Sequence, residues 1–292
     1  MVLIIAASLV FLYLHLRNAV QVKSIDFYVN PELVTEAQTP IDIVIVVDAG
    51  IPVAVEVASD LRIFADDLEL ARVSVPAQKV GRGLSELLAG VVLNNMLLDD
   101  VWYRHLARGE SSDLRVEGGV RIGIAAFSVK IPVSYTHRVE TRIFPFEKRL
   151  DREYDLQPFG KVVVRDVRIE LKDVTQRETR LKAYVTIENE LTAQLYVKGL
   201  EFRLVTERGT VIAEGEQIGE ALIARGERGT IDFEIVIDNT RIPKLWYEHI
   251  RNREKTTVII EIWLRVEVMG VKARLGPLMI PREVETNIFK YR

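Results

Sequence analysis

Apolar and polar residues alternate in short runs through most of the chain after residue 20. The clearest runs are Ile41–Asp48 and Leu181–Glu188, which are rich in β-branched residues and are followed by turns that contain Gly, Pro or Asn. An alternation with a period of two predicts antiparallel strands with one buried face. Several such strands in a unit of about 125 residues favour a mainly β fold built from β-sandwiches.

The pattern is repeated, because residues 95–144 resemble residues 239–289. Both stretches contain an Asn, a Trp-Tyr-x-His motif and a Val-Glu-Thr motif. A repeat of this length predicts two tandem antiparallel β-sandwich domains, at residues 21–145 and 161–292, joined by a charged, turn-rich linker at residues 146–160. The repeated motifs are Asn95, Trp102–His105 and Val139–Thr141 in the first copy and Asn239, Trp246–His249 and Val284–Thr286 in the second.

Each copy is expected to contain one short amphipathic helix, at Leu97–Arg108 and at Ile242–Asn252. The residues just before the first helix, Leu84–Leu98, also favour a helix by their propensities. Their partners in the second copy, Arg228–Ile237, alternate as a strand does, and homologous copies share their topology. We therefore predict a strand, not a helix, at Glu86–Leu93.

The N-terminal segment is not part of the repeat. Val2–Leu16 is almost entirely apolar, and Arg17 follows it. A helix over residues 1–20, with the Arg17 side chain reaching the interface, comes near the length that spans a bilayer. We therefore predict a transmembrane anchor helix at residues 1–20. A cleaved signal peptide is a competing interpretation that lacks a basic region and a good cleavage site, and a start codon further upstream is a third.

Charge and composition narrow the function classes. The net charge is only −3 and no basic stripe is evident, which argues against nucleic-acid binding. The chain has no cysteine, so disulfides, thiolate metal sites and cysteine nucleophiles are excluded. Asn, Gln and Met are scarce while Glu, Arg, Val and Ile are abundant. That balance is typical of proteins from thermophiles.

The repeated histidines are the first candidates for chemistry. His105 and His249 occupy the same position in the two copies, three residues after Trp102 and Trp246. Further histidines or carboxylates at metal-ligand spacing are not evident beside them. We therefore interpret all four residues as part of the scaffold, with the aromatic side of the helix packed on the sandwich.

Carboxylates give weaker signals. Asp66-Asp67 predicts a turn, and Asp99-Asp100 predicts a helix N-terminus, where negative charge is favourable. A Ca²⁺ site is the alternative if the two turns meet. Glu140-Thr141 and Glu285-Thr286 favour a paired, half-exposed strand over a shared binding edge. Phosphate-binding loops and serine-hydrolase motifs are absent from the sequence, so we expect no catalytic, cofactor or metal site.

The second copy has the features of a known family. An Asn follows a strand, a Val-Lys-Gly-Leu strand comes next, and a hairpin and a small-residue turn follow. These segments resemble the LEA2 fold of type-2 late embryogenesis abundant proteins, also called the WHy domain, over nearly all of residues 21–290. The paired motifs resemble archaeal tandem members with an N-terminal membrane anchor. The segments are Val185–Glu190, Tyr196–Phe202, Gly209–Gly215 and Ile223–Gly226.

The first copy departs from this family pattern at two places. Ala49-Gly50 stands where the second copy has Asn189-Glu190, and Ala65–Leu70 lacks a clear hairpin motif. A role attached to the Asn loop is therefore expected in one copy only. The candidate interaction loop consists of Asn189, Glu190, Ala49 and Gly50.

The resemblance implies a non-enzymatic protein of stress or desiccation protection, held at the cell membrane by its N-terminal helix. Its expected partners are the membrane itself, lipids or envelope proteins, and other copies of the chain. A structural subunit of a cell-surface assembly or filament is the alternative. Arg17 and Lys23 after the span favour cytoplasmic domains by the positive-inside rule, whereas the family resemblance places the domains outside the cell.

Overall fold

The structure is a computed structural model that describes residues 20–50, 55–124 and 127–292, and these form a mainly β protein. These described residues contain two α-helices, α1 (Leu98–Ala107) and α2 (Ile242–Arg251). A short 3₁₀ turn precedes each helix. The strands are β1 (Val20–Val29), β2 (Gln38–Ala49), β3 (Val55–Ala65), β4 (Leu68–Val80), β5 (Gly83–Asn94), β6 (Ser111–Ile124), β7 (Phe127–Glu140), β8 (Phe146–Asp155), β9 (Gly160–Val174), β10 (Glu178–Leu191), β11 (Leu195–Thr206), β12 (Val211–Ile223), β13 (Arg228–Asp238), β14 (Lys255–Val268), β15 (Val271–Glu285) and β16 (Lys290–Tyr291).

The described residues divide into two compact units. The first contains the residues up to Leu97 together with Ser111–Glu140 and Asn287–Arg292, and the second contains Leu98–Glu110 and Thr141–Thr286. Each unit has two four-stranded sheets. The strand orders are β16-β1-β2-β5 and β4-β3-β6-β7 in the first unit, and β13-β10-β9-β8 and β12-β11-β14-β15 in the second.

The core of the second unit lies between its two sheets. Leu181, Val185 and Ile187 of β10 point inward, as the period-two pattern predicts, and belong to the same buried cluster as Ile262 and Leu264 of β14. Two sheets that share one apolar core form a β-sandwich. The alternation in the sequence thus produces the burial that stabilises this unit.

The first unit buries apolar side chains on both of its sheets, among them Ile43 and Ile45 of β2 and Leu61 of β3. The strand predicted at Glu86–Leu93 is confirmed as part of β5, which pairs with β2 along its whole length. Local helix propensity therefore gives way to sheet pairing at this position.

Three expectations about the architecture were wrong. The stretch at residues 146–160 is not a linker, because Phe146–Asp155 forms β8 and pairs with β9. The two helices are not divided one per unit, since α1 groups with the second unit and packs near α2. The sheets are not purely antiparallel, because β16 runs parallel to β1 at Tyr28 and Val29. Both β8 and β16 follow the last repeated strand of a copy and pair outside that copy.

The first copy also has the hairpin that its sequence did not reveal. β3 and β4 pair antiparallel with Ala65 opposite Leu68, and the turn residue Asp66 has a positive φ of 56°. A short polar side chain such as Asp tolerates this left-handed conformation. The turn predicted at Asp66-Asp67 is therefore confirmed.

The anchor expected at residues 1–20 falls almost entirely outside the described residues, which begin with Val20 at the start of β1. Within the part of the chain that the structure describes, none of the helices is both long and apolar enough to span a membrane.

Candidate functional site

The repeated histidines lie at the centre of two matching hydrogen-bond chains. His105, near the end of α1, places Nε2 2.8 Å from Oγ1 of Thr141. Thr141 donates that hydroxyl to the carboxylate of Glu110, 2.9 Å away, in the turn between α1 and β6. The Glu110 carboxylate also accepts the backbone N–H groups of Ile143 and Phe144. One buried carboxylate therefore ties the end of a helix to the segment that follows β7.

The second copy builds the same chain. His249 Nε2 lies 2.9 Å from Oγ1 of Thr286, and Thr286 donates to Glu254 at 2.7 Å. The other ring nitrogen, Nδ1, lies 3.1 Å from the hydroxyl of Thr256 on β14. Glu110 and Glu254 both adopt positive φ, 63° and 62°. The two turns therefore share their backbone geometry as well as their hydrogen bonds.

The hydrogen bonds determine which nitrogen of His249 carries the proton. Because Thr286 donates its hydroxyl hydrogen to Glu254, its oxygen accepts from His249, so Nε2 bears the hydrogen. Nδ1 is then free to accept the hydroxyl of Thr256. Burial lowers the pKa of His249 to about 4, while the nearby Glu254 carboxylate acts in the opposite direction. His249 is therefore a neutral imidazole at neutral pH.

A Thr, a His and a Glu in contact are the residue types of a nucleophilic triad, but the order of their hydrogen bonds is different. In a triad the nucleophile donates to the imidazole, which takes up the proton, and the carboxylate holds the other side of the ring. Here Thr286 donates to Glu254 and accepts from His249. The imidazole is not placed to activate the hydroxyl, and the arrangement holds backbone segments together.

The repeated asparagines also have a structural role. Asn95 and Asn239 are fully buried. Asn239 accepts from the hydroxyl of Thr179 at 2.8 Å and donates to the carbonyl of Thr175 at 2.8 Å, so it closes the turn between β9 and β10. Asn95 makes the equivalent bonds to Thr39 and Thr35 in the first unit, at 2.8 and 2.9 Å.

Trp102, which we predicted to be a scaffold residue, belongs to the hydrogen-bonded group around Asn239. Its indole N–H donates to Thr179 at 2.9 Å within the second unit. Thr179 in turn donates to Asn239, so its hydroxyl bridges an indole on α1 and a buried amide. Trp246 and His249 lie on α2, with their ring centroids 6.3 Å apart. Trp102 and Trp246, both half-buried, thus contact buried polar residues of the second unit, Thr179 and His249 respectively.

The candidate interaction loop lies where β10 ends. The Asn189 side chain is fully buried and donates to the carbonyls of Ala193, Ile223 and Ala224, while its own oxygen accepts from the Leu191 N–H. All of its hydrogen-bonding atoms are thus used inside the loop. Glu190 is exposed, 3.5 Å from Arg165. In the first copy Ala49 is buried and Gly50 is exposed.

The remaining carboxylates identified from the sequence take part in local contacts. Glu140 pairs with Arg138 at 2.7 Å and Glu285 with Lys255 at 3.1 Å, both on exposed strand faces. Asp99 and Asp100 lie in the first turn of α1, as predicted. Asp66 accepts the backbone N–H of Asp113 at 3.0 Å. Across the described ranges, His, Asp and Glu side chains form no group of three suited to a metal ion.

Two functional positions were missed from the sequence, Glu110 and Glu254. They are 144 residues apart, the same spacing as His105 and His249. Both follow a helix in a polar turn, so they resembled ordinary surface residues. Their equal spacing was the signal that could have identified them.

The outer face of the β13-β10-β9-β8 sheet carries an ion-pair network. Arg165 contacts Glu188 at 2.7 Å and Asp151 at 3.1 Å. The hydrogen bond from Arg165, followed by one from Arg228, holds the pKa of Glu188 below its ordinary value. Hydrogen bonds from Arg149 and then Arg165 lower the pKa of Asp151 in the same way. Because Asp151 belongs to β8 and Arg165 belongs to β9, the network links these two strands.

Known proteins resemble this chain only weakly. No family model matches the chain, and no curated protein matches it. A protein of known crystal structure from Archaeoglobus fulgidus is 21% identical over 44% of this chain and 98% of its own length, with a TM-score of 0.38. Red sea bream transglutaminase is 12% identical over 91% of this chain and 31% of its own length, with a TM-score of 0.26. Likenesses this weak carry no functional argument.

Proposed function

We propose that this protein is a membrane-anchored, non-enzymatic member of the LEA2 or WHy type that protects or contacts other molecules at the cell envelope. One observation carries the proposal: the polar residues that occur in both copies make internal, structural hydrogen bonds. His249, Thr286 and Glu254 bond to one another, as do His105, Thr141 and Glu110, and in both copies the hydroxyl donates to the carboxylate. Residues that recur in this way maintain the fold in both copies. A catalytic site would normally occur only once.

The proposal draws its location from the apolar run Val2–Leu16 and its protective role from the family resemblance of residues 185–226. A non-enzymatic protein at the envelope would act through its surface, so the proposed partner is a lipid, a protein or a second copy. Protease treatment of intact cells tests the orientation. With the domains outside, a C-terminal tag is removed without lysis; with the domains inside, the tag survives until lysis.

The protective role has its own test. Lactate dehydrogenase is dried and rehydrated with the full chain in mild detergent, with an equal mass of serum albumin in the same detergent as control. We expect the chain to preserve more enzyme activity than albumin does. Equal recovery in the two samples would remove stress protection from the proposal.

An apolar stripe on β5 favours a second candidate, a structural subunit that assembles with copies of itself. Leu84, Leu88 and Val92 are each more than half exposed on this edge strand. Repeat spacing aligns Leu84 with Arg228 and Leu88 with Asp232 of β13, which pair with Glu188 and Lys182. The second copy thus protects its sheet edge with charge, while the first leaves an apolar surface suited to association.

For this candidate we expect the double variant Leu84→Arg, Leu88→Lys to abolish self-association. In the register of β2 and β5, Leu84 lies opposite Asp48, and Leu88 lies opposite Val44 with Asp42 at a diagonal position. Mass photometry in detergent compares the double variant with wild type and with Val236→Lys, which adds one charge to the equivalent strand of the second unit. A wild type that is monomeric at all concentrations would eliminate the subunit hypothesis.

A further inference from the structure

The two units differ in how completely their first repeated strand is paired. In the second unit β9 has β10 on one side and β8 on the other, and β8 pairs with it from Lys161 to Ile169. In the first unit β1 has β2 on one side, but on the other side β16 pairs only with Tyr28 and Val29. Within the described part of the chain, β1 from Val20 to Phe27 has no strand where β9 has β8.

A groove opens beside this unpaired part of β1. Its volume is about 310 Å³, and it is lined by Gln21–Ile25 of β1, Pro132–Tyr135 of β7 and Val120 of β6. Its walls combine the side chains of Val22, Val133 and Tyr135 with an edge of β1 that is unpaired among the described residues. Free backbone N–H and C=O groups next to apolar side chains form the surface on which an extended peptide adds as a strand.

In the second unit, the position that corresponds to this groove is covered by β8. Val133 and Tyr135 align with Leu278 and Ile280 of β15, which are 3% and 0% exposed, whereas Tyr135 is 38% exposed. The second unit has its cover because Phe146, Leu150 and Tyr154 of β8 pack against its core. As far as the structure describes it, the first unit carries the apolar wall without the strand that would cover it.

The charged residues of β1 and β9 also correspond. Lys23 in β1 and Arg165 in β9 are aligned, and each lies at a β-bulge in its strand. Both contact a carboxylate of the next strand: Lys23 reaches Asp48 at 3.6 Å, and Arg165 reaches Glu188 at 2.7 Å. Arg165 has a further carboxylate, Asp151 of β8, at 3.1 Å. A strand placed beside β1 would bring its corresponding residue to Lys23.

We propose that this groove binds an extended peptide segment of a partner protein, which adds to β1 as an antiparallel strand. The segment has apolar side chains at the inward positions that Phe146, Leu150 and Tyr154 occupy in β8. It has an acidic residue at the position of Asp151, which pairs with Lys23. The site goes beyond the proposed envelope function and is independent of it, because neither the anchor nor stress protection enters the argument.

The probe is a fluorescent peptide with the β8 sequence, Phe146–Asp155, added to the full chain in mild detergent. We expect saturable binding by fluorescence anisotropy, and little binding of a scrambled peptide of the same composition. Lys23→Glu should weaken binding about tenfold by placing like charges together. A peptide carrying Asp151→Lys should recover binding to that variant. Lys198→Glu, an equal charge change at a lysine of β11, should bind as wild type does.

Two results would overturn the proposal. One is equal affinity of the wild type, Lys23→Glu and Lys198→Glu for the β8 peptide, or no difference from the scrambled peptide. The other is a wild-type dimer that Lys23→Glu dissociates and the peptide does not, because the groove would then be filled by a second copy. Circular dichroism confirms that each variant is folded. Neither membranes nor drying is involved, so these outcomes are separate from those that test the proposed function.

Discussion

Replacing Glu110 with alanine is expected to lower the free energy of unfolding of the second unit by about 4 kcal/mol. The Glu110 carboxylate is buried and accepts the Thr141 hydroxyl and the N–H groups of Ile143 and Phe144. Alanine leaves these three donors without their acceptor. A buried donor that loses its partner costs about 1–3 kcal/mol, and bonds to a charged acceptor lie at the upper end.

Tryptophan fluorescence during urea unfolding measures this effect. All three tryptophans, Trp102, Trp246 and Trp263, belong to the second unit, as Glu110 does. The signal therefore reports the unit in which the substitution is made. The urea midpoint should fall strongly while the slope of the transition is unchanged.

Glu285→Ala is the matched control. Glu285 is the exposed carboxylate next to Thr286 in the second unit, and it pairs with Lys255 on the strand surface. Exposed pairs of this kind contribute about 0–1 kcal/mol, so this variant should unfold nearly as the wild type does. Similar losses of unfolding free energy in the two variants would show that Glu110 does not connect the end of α1 to the segment that follows β7.

The sequence was most informative where the two copies could be compared. Glu86–Leu93 favours a helix by propensity, and only its counterpart in β13 showed that it forms a strand. Propensity describes isolated residues, whereas pairing with β2 along twelve positions determines the outcome here. The repeat provided tertiary information that a single segment lacks.

The same comparison fails where a segment has no counterpart. β8 carries alternating apolar residues at Phe146, Leu150 and Tyr154, but charged residues separate them and a bulge interrupts the alternation. These features made it resemble a linker. The His–Thr–Glu chains were also hidden, because Glu110 and Thr141 are 31 residues apart and meet only when the sheet positions them. Periodicity identifies the buried face of a strand but not which polar residues meet.

Stability of the second unit is expected to fall by about 3 kcal/mol between pH 6.5 and pH 4 through His249 alone. The pKa of His249 is lowered to about 4, chiefly because burial disfavours the imidazolium. In the unfolded chain a histidine has a pKa of about 6.5. Above pH 6.5 both states are neutral, and the residue causes no pH dependence.

Between these two values the unfolded chain binds a proton that the folded unit does not. Acidification therefore favours unfolding across this window, and below pH 4 both states are protonated and the loss is complete. The hydrogen bonds agree with this direction. Nδ1 of His249 accepts from Thr256, and protonation would remove that acceptor.

The measurement is the urea unfolding free energy, followed by tryptophan fluorescence at pH 7, 6, 5 and 4, for the wild type and for His249→Gln. Glutamine keeps a donor near Thr286 but does not titrate. We expect the difference in unfolding free energy between the two proteins to shrink by about 3 kcal/mol over the series. Carboxylate titrations are common to both proteins and cancel in this difference.

His137→Asn is the control, because His137 lies in the first unit, which tryptophan fluorescence does not report. Its pH dependence should match that of the wild type. If His249→Gln and the wild type lose stability in parallel as the pH falls, the pKa of His249 is the same in the folded and unfolded states. Protonation would then cost the folded unit nothing extra, and the hydrogen bond that Thr256 donates to Nδ1 of His249 would not keep the ring neutral.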